Sequence, residues 1–272
     1  MSIIQDIKSL KIQGAKEIAI ASLRHLKKFS RIHGFGHEFD KECKKLLSAR
    51  STAVVLYNVI NELRRDKRKE TIDKLLAELD KATELIAATG QQLIKRGYHV
   101  HTHCHSSEAL AVIKEAAKKK KFSVIADITM PRQQGIKTAK ELAKIKNISV
   151  TLIEDNAATL AFTDPVIPKD DIIIVGCDAM RKEGVINKIG TYFLALAASE
   201  SNIPFYVVGS KFKIDKRKKV KIEIRPPSEV YKKIRGVKII NPAFDITPWR
   251  YITGVVMEDG IKKPKDILAI LR

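Results

Sequence analysis

The feature that most constrains this chain's fold is a series of short apolar runs in its second part. From Gly97 onward, β-branched and apolar stretches recur at residues 98–102, 123–128, 149–153, 171–176, 204–208 and, after a loop, 237–240 and 251–257. Segments apolar along one side lie between them, at 108–120, 138–146 and 192–201. Two parallel strands need a crossover long enough to hold a helix, so this alternation predicts a parallel, doubly wound α/β sheet. Such sheets bind ligands beyond the carboxyl ends of their strands.

The chain before Gly97 has a different texture. No proline precedes Pro131, and apolar residues fall at helical spacing, as in Ile4 and Ile7, then Ile18, Ala19, Leu23 and Leu26, then Leu75, Leu76, Leu79, Leu85 and Ile86. The expected organisation is an N-terminal helical domain over 1–95, interrupted at Gly34-Phe35-Gly36, and a parallel-sheet domain over 96–272.

Lysine and arginine number 51 against 31 acidic residues, a formal charge of +20, which favours anionic partners: phosphates, nucleic acid or an acidic protein. Three cysteines with no C-x-x-C pairing exclude a disulfide framework or a cysteine zinc site, so any cysteine acts as a thiol. No apolar run reaches the length of a membrane span and the first residues do not read as a signal peptide, so the expectation is a cytoplasmic protein without membrane contact.

The residues after each expected strand carry the chemistry. They are His103-Cys104-His105-Ser106-Ser107, then Thr129-Met130-Pro131-Arg132, then Glu154-Asp155-Asn156, then Gly176-Cys177-Asp178, then Gly209-Ser210-Lys211 with Lys213. Cys104, before a helix start, is either an inert core cysteine or a thiol whose pKa the helix N-terminus and neighbouring donors lower. Asp178 follows an apolar run and is either a turn cap or a carboxylate whose pKa desolvation raises. Together they make an acid–base pair. Asn187-Lys188-Ile189-Gly190-Thr191 precedes a helix and suits an anion through free backbone donors and a lysine, although a surface turn has the same pattern. His99, His101, His103 and His105 alternate; without a second ligand cluster they read as cleft-lining or internally bonded rather than metal ligands.

The runs Thr102-His103-Cys104-His105-Ser106-Ser107, Gly176-Cys177-Asp178-Ala179-Met180, Gly184–Thr191 and Asn241-Pro242-Ala243-Phe244-Asp245 resemble those of the initiation-factor-2B-related superfamily. It includes regulatory subunits of a guanine-nucleotide exchange factor, methylthioribose-1-phosphate isomerases and archaeal ribose-1,5-bisphosphate isomerases; the T-H-C-H-S and N-P-A-F-D runs fit the last best. The resemblance implies a Rossmann-like second domain, a homo-oligomer (dimer or hexamer), and conversion of ribose 1,5-bisphosphate to ribulose 1,5-bisphosphate with no metal or organic cofactor. It implies Cys104 and Asp178 as catalytic residues. It also implies substrate or phosphate contacts at Gly14, Ala15, Arg50, Ser106, Arg132, Asn187, Lys188 and Lys213. Two arginines of the family pattern are replaced, by Gln13 and Met130. The alternative is a regulatory subunit-like protein that senses a nucleotide or sugar phosphate, with the lysine runs at 118–121 and 216–219 touching RNA or an acidic protein.

Overall fold

The structure, a computed structural model, describes residues 3–9, 11–12, 14–160, 169–219 and 222–272; Gln13 lies outside the described residues. The chain forms two compact units. One comprises Met1–Ala82 with Phe212–Ile214, the other Thr83–Lys211 with Asp215–Arg272.

The first unit is helical: α1 (Ile3–Lys8), α2 (Ala15–His33), α3 (His37–Ala49), α4 (Val54–Arg65) and the first part of α5 (Lys69–Gly90). Gly34 ends α2 with φ 65°, a left-handed conformation that glycine adopts without strain, and its amide donates to the Ser30 carbonyl. Gly36 then precedes α3, so the glycine pair marks the expected break. Leu23, Leu26, Phe39, Leu46, Leu56, Ile60, Leu63, Ile72 and Leu75 are fully buried. Each such side chain contributes about 1.5–3 kcal/mol of burial. The short segment Phe212–Ile214 joins this core through Phe212. Asn58 on α4 fastens it, its Nδ2 donating to the carbonyls of Phe212 and Ile214, both at 2.8 Å.

The second unit is built on a seven-stranded sheet. Its strands are β1 (His99–Thr102), β2 (Phe122–Asp127), β3 (Ile148–Ile153), β4 (Ile172–Gly176), β7 (Phe205–Val208), β9 (Gly254–Met257) and β10 (Gly260–Lys262), in the order β10-β9-β7-β4-β1-β2-β3. All neighbours run parallel except β10, an antiparallel edge. Helices α6 (Ser107–Ala117), α7 (Gln134–Leu142) and α8 (Thr191–Glu200) lie between the strands in sequence, and α9 (Pro264–Ile270) follows them. Every residue of β4 is buried, as a strand covered on both faces requires.

The structure departs from expectation in two places. Residues 237–240 form no strand: among the described residues they join no ladder, and Val237 and Ile240 are more than half exposed. Residues 179–188 are not a simple loop. They form β5 (Ala179–Arg181) and β6 (Gly184–Lys188), which pair with β8 (Phe244–Thr247) in a small antiparallel sheet. No described helix is long and apolar enough to cross a membrane.

Candidate active site

The sheet reverses its winding direction between β1 and β4: the chain builds outward from β1 through β2 to β3, then returns to the other flank of β1. A crevice at such a switch point is where parallel sheets place their ligands. Cys104 follows β1 and Asp178 follows β4.

Cys104 is held in a left-handed conformation, φ 70°, a strained state for a residue with a side chain. Its amide donates to Thr129 Oγ1 at 2.9 Å, and its carbonyl accepts from Thr138 Oγ1 at 2.8 Å. Thr129, after β2, is also left-handed at φ 65°, and its amide and that of Met130 donate to the two Asp155 carboxylate oxygens at 2.6 and 2.7 Å. Asp155, beyond β3, thus anchors the loop that anchors Cys104. Ser106 caps α6, accepting from the Ala109 amide, and its hydroxyl packs onto Gly176, where an added Cβ would lie 2.2 Å from Oγ. Only glycine lets the ends of β1 and β4 approach so closely.

Lys188 ends β6 and is buried, its Nζ 5.1 Å from the centre of the Phe244 ring. Burial lowers its pKa, while Cys104 and the Asp178 carboxylate push it back up. Burial also raises the Cys104 thiol, to about 11, against the lowering effect of the Lys188 ammonium and with a further upward push from Asp178. Of the two readings left open for Cys104, this speaks against a thiol activated by a helix N-terminus: desolvation outweighs the nearby donors, and the thiol is protonated at neutral pH. Cys104, Asp178 and Lys188 are therefore close enough to act on one another's charge.

Two of the amides before α8 that suited an anion are already engaged. Asp245, on β8, takes the Gly190 and Tyr192 amides on one carboxylate oxygen, at 2.8 and 3.1 Å. Its other oxygen is buried with no hydrogen-bond partner among the described residues. Burial outweighs the two amides and raises its pKa to about 6. Asn187 is buried and donates from Nδ2 to Thr191 Oγ1 at 3.0 Å.

Beside this cluster runs an array of buried ionisable groups that the sequence showed only as alternating histidines. His101 is fully buried, with Nδ1 2.6 Å from Asp170 Oδ2 and Nε2 2.9 Å from Asp127 Oδ1. Asp127 Oδ2 lies 2.8 Å from His103 Nδ1, and His103 Nε2 donates to the Ile189 carbonyl at 2.9 Å. Burial alone would lower the His101 pKa, but the carboxylates, Asp127 foremost, raise it to about 10. Burial opposes ionisation of Asp127, yet His101 and His103 hold its pKa down at about 2. A cavity of about 370 Å³ adjoins the array, walled in part by His103, Asp127, Pro131, Asp155, Gly190 and Asn241, and not by Cys104, Asp178 or Lys188.

The remaining expected site residues lie on elements of both units. Arg132 donates to Glu229 at 2.8 Å. Met130 is 41% exposed. Gly14, Ala15, Arg50 and Lys213 belong to the helical unit: Gly14 precedes α2 with φ 87°, Ala15 opens that helix, Arg50 closes α3, and Lys213 lies buried in the turn that Asn58 fastens. In the lysine runs, Lys120 donates to the Gln91 carbonyl and Arg217 pairs with Asp215.

Comparison with known proteins adds the remaining facts. A model described as the initiation factor 2 subunit family matches residues 11–264. A ribose 1,5-bisphosphate isomerase from Archaeoglobus fulgidus is 37% identical over 96% of this chain and 88% of its own. A methylthioribose-1-phosphate isomerase from Acetivibrio thermocellus is also 37% identical, over 96% and 85%. Among solved structures, a Pyrococcus horikoshii protein described as translation initiation factor eIF-2B superposes with TM-score 0.83 at 30% identity, covering 97% of both chains.

Proposed function

The chain belongs to the initiation factor 2 subunit family, and from that premise we propose that it is an aldose–ketose isomerase of sugar 1-phosphates, with ribose 1,5-bisphosphate as substrate and ribulose 1,5-bisphosphate as product. The observation that carries the reading is the pairing of a protonated thiol, Cys104, with a carboxylate, Asp178, at the switch point of the sheet. Opening a cyclic sugar 1-phosphate breaks the bond from C1 to the ring oxygen and requires a proton on that oxygen. A base then takes the C2 proton to give an enol that keeps the phosphate on C1, and a proton added at C1 with release of the O2 hydroxyl proton leaves the ketone at C2. Cys104 holds a proton at neutral pH and Asp178 is the neighbouring base, so the two divide these transfers through an enol intermediate.

Lys188 and Asn187 supply a cation and an amide beside that pair. We assign Gly14, Ala15, Arg50, Ser106, Arg132 and Lys213 as further substrate contacts on the strength of the family motifs. The working protein is read as a cytoplasmic homo-oligomer.

Incubating the purified protein with ribose 1,5-bisphosphate, ribose 1-phosphate, methylthioribose 1-phosphate and 5-deoxyribose 1-phosphate tests the assignment. Ketose formation from the bisphosphate in preference to the others is the expected outcome. Turnover of none, together with nucleotide-dependent binding to a translation factor, would replace it with the regulatory reading that the similarity to the Pyrococcus horikoshii protein also suggests.

A further inference from the structure

We propose that His103 is a positioning residue that fixes the spacing between Lys188 and Cys104, with His101, Asp127 and Asp170 as its buried support. The inference rests on the reading above for the reaction, but not for its test.

His103 immediately precedes Cys104, and Ile189 immediately follows Lys188. The single hydrogen bond from His103 Nε2 to the Ile189 carbonyl, 2.9 Å, therefore ties together the backbone on which the thiol and the ammonium are mounted. The imidazole also packs closely against the next residue: a Cβ on Gly190 would stand 3.0 Å from its Cε1. Asp245 holds the Gly190 and Tyr192 amides, so the Ile189–Gly190 peptide is gripped at both its carbonyl and its N–H.

The support behind His103 is a chain of buried partners. Its Nδ1 meets Asp127 at 2.8 Å, and Asp127 is held by His101, which Asp170 holds in turn at 2.6 Å. All four residues are at most 3% exposed. Burying ionisable groups is costly unless each is paired, and an array of this kind rigidifies what it touches. What it touches is the turn that carries Lys188. Misplacement of a catalytic group by about 1 Å can lower the rate about 10²-fold.

The test reads the thiol itself. Iodoacetamide labelling of the peptide containing Cys104 is timed by mass spectrometry at about pH 8 in wild type, His103→Gln, Lys188→Gln and the double variant, with circular dichroism confirming the fold; well below the thiol's pKa the rate follows the thiolate fraction. If His103 aligns Lys188 with the thiol, both single variants slow labelling, Lys188→Gln about tenfold. The double variant is then no slower than Lys188→Gln alone. In turnover, His103→Gln lowers kcat about 10²-fold with little change in KM. Asp127→Asn keeps the shape of the array while weakening its grip on His103, and slows labelling as well. An unchanged rate in folded His103→Gln, or multiplicative slowing in the double variant, overturns the proposal. If His103→Gln does not fold, Asp127→Asn decides by the same criterion. Failure of both to fold assigns the array to stability and overturns it as well. Because labelling needs no substrate, inactive wild-type protein together with slowed labelling in the variants would sink the isomerase reading and leave this one standing.

Discussion

Cys104 and Asp178 each stand two residues beyond the end of their strand, on β1 and β4, which are paired in parallel through Val100 with Ile172 and His101 with Ile173. In that register Thr102 stands level with Ile174, so β4 runs two residues past β1 before Asp178 follows it; thiol and carboxylate both leave the carboxyl ends of adjacent parallel strands, one on each side of the sheet's switch point.

A thiol raised to about 11 is a poor nucleophile at neutral pH, since only the thiolate attacks. Iodoacetamide should therefore modify Cys104 slowly at pH 7 and progressively faster toward pH 11. Cys104→Ser should abolish turnover with little loss of substrate binding, because a hydroxyl fills the space but is a far weaker acid. Residual kcat within tenfold of wild type would remove Cys104 from proton transfer.

If Cys104 and Asp178 exchange protons with substrate, turnover in D2O should place deuterium at C1 of the ketose, read by NMR. Product made in D2O that keeps the original C2 hydrogen at C1 would indicate hydride migration instead.

The His101 clamp makes stability depend on pH in a defined direction. Its pKa rises from 6.5 to about 10 on folding. Its contribution is thus fully present below about 6.5 and is lost as pH climbs through 10. For a fully buried group the loss is on the order of a few kcal/mol. Urea midpoints should fall between pH 7 and 10 in wild type, and His101→Gln should flatten that fall.

Gly176→Ala should destabilise the second unit, because the new methyl would press against Ser106 Oγ at a separation no packing tolerates. Overpacking of this kind typically costs about 1–3 kcal/mol, a drop of several degrees in Tm. The double variant Gly176→Ala with Ser106→Gly should recover most of it.

Restoring the family's arginines, Gln13→Arg with Met130→Arg, should lower KM for a bisphosphate more than for a monophosphate. Charge-assisted hydrogen bonds contribute about 1.5–3 kcal/mol each, and the partial exposure of Met130 puts its share at the low end. Equal changes for both substrates would show that neither position faces the second phosphate.

The parallel strands were legible because strands covered on both faces are written as unbroken apolar runs such as Ile172-Ile173-Ile174-Val175. The small antiparallel sheet was not, because β6 ends in Asn187 and Lys188, which look like loop residues until their burial is known. Residues 237–240 misled in the opposite sense: β-branched composition marks a strand only where a ladder partner exists, and among the described residues this segment is assigned to no ladder. At the site, a local reading of Cys104 left core burial and activation by a helix start as rivals, and only the fold shows that desolvation dominates. Nor could the neighbourhood of Gly190 disclose that its amide is taken by Asp245, far along the chain. The histidine alternation of β1 was visible; Asp127 and Asp170, which give it meaning, are supplied by other strands and loops.

The turn at Phe212–Ile214, gripped by Asn58, bears on how the polypeptide is made. During synthesis, helices α1–α4 leave the ribosome long before this turn does, so they gather without the last piece of their own core, Phe212. The helical unit is complete only after most of the parallel sheet has been translated. A nascent chain arrested between β3 and β7 should therefore hold its N-terminal helices in a looser, more protease-sensitive state than the finished protein.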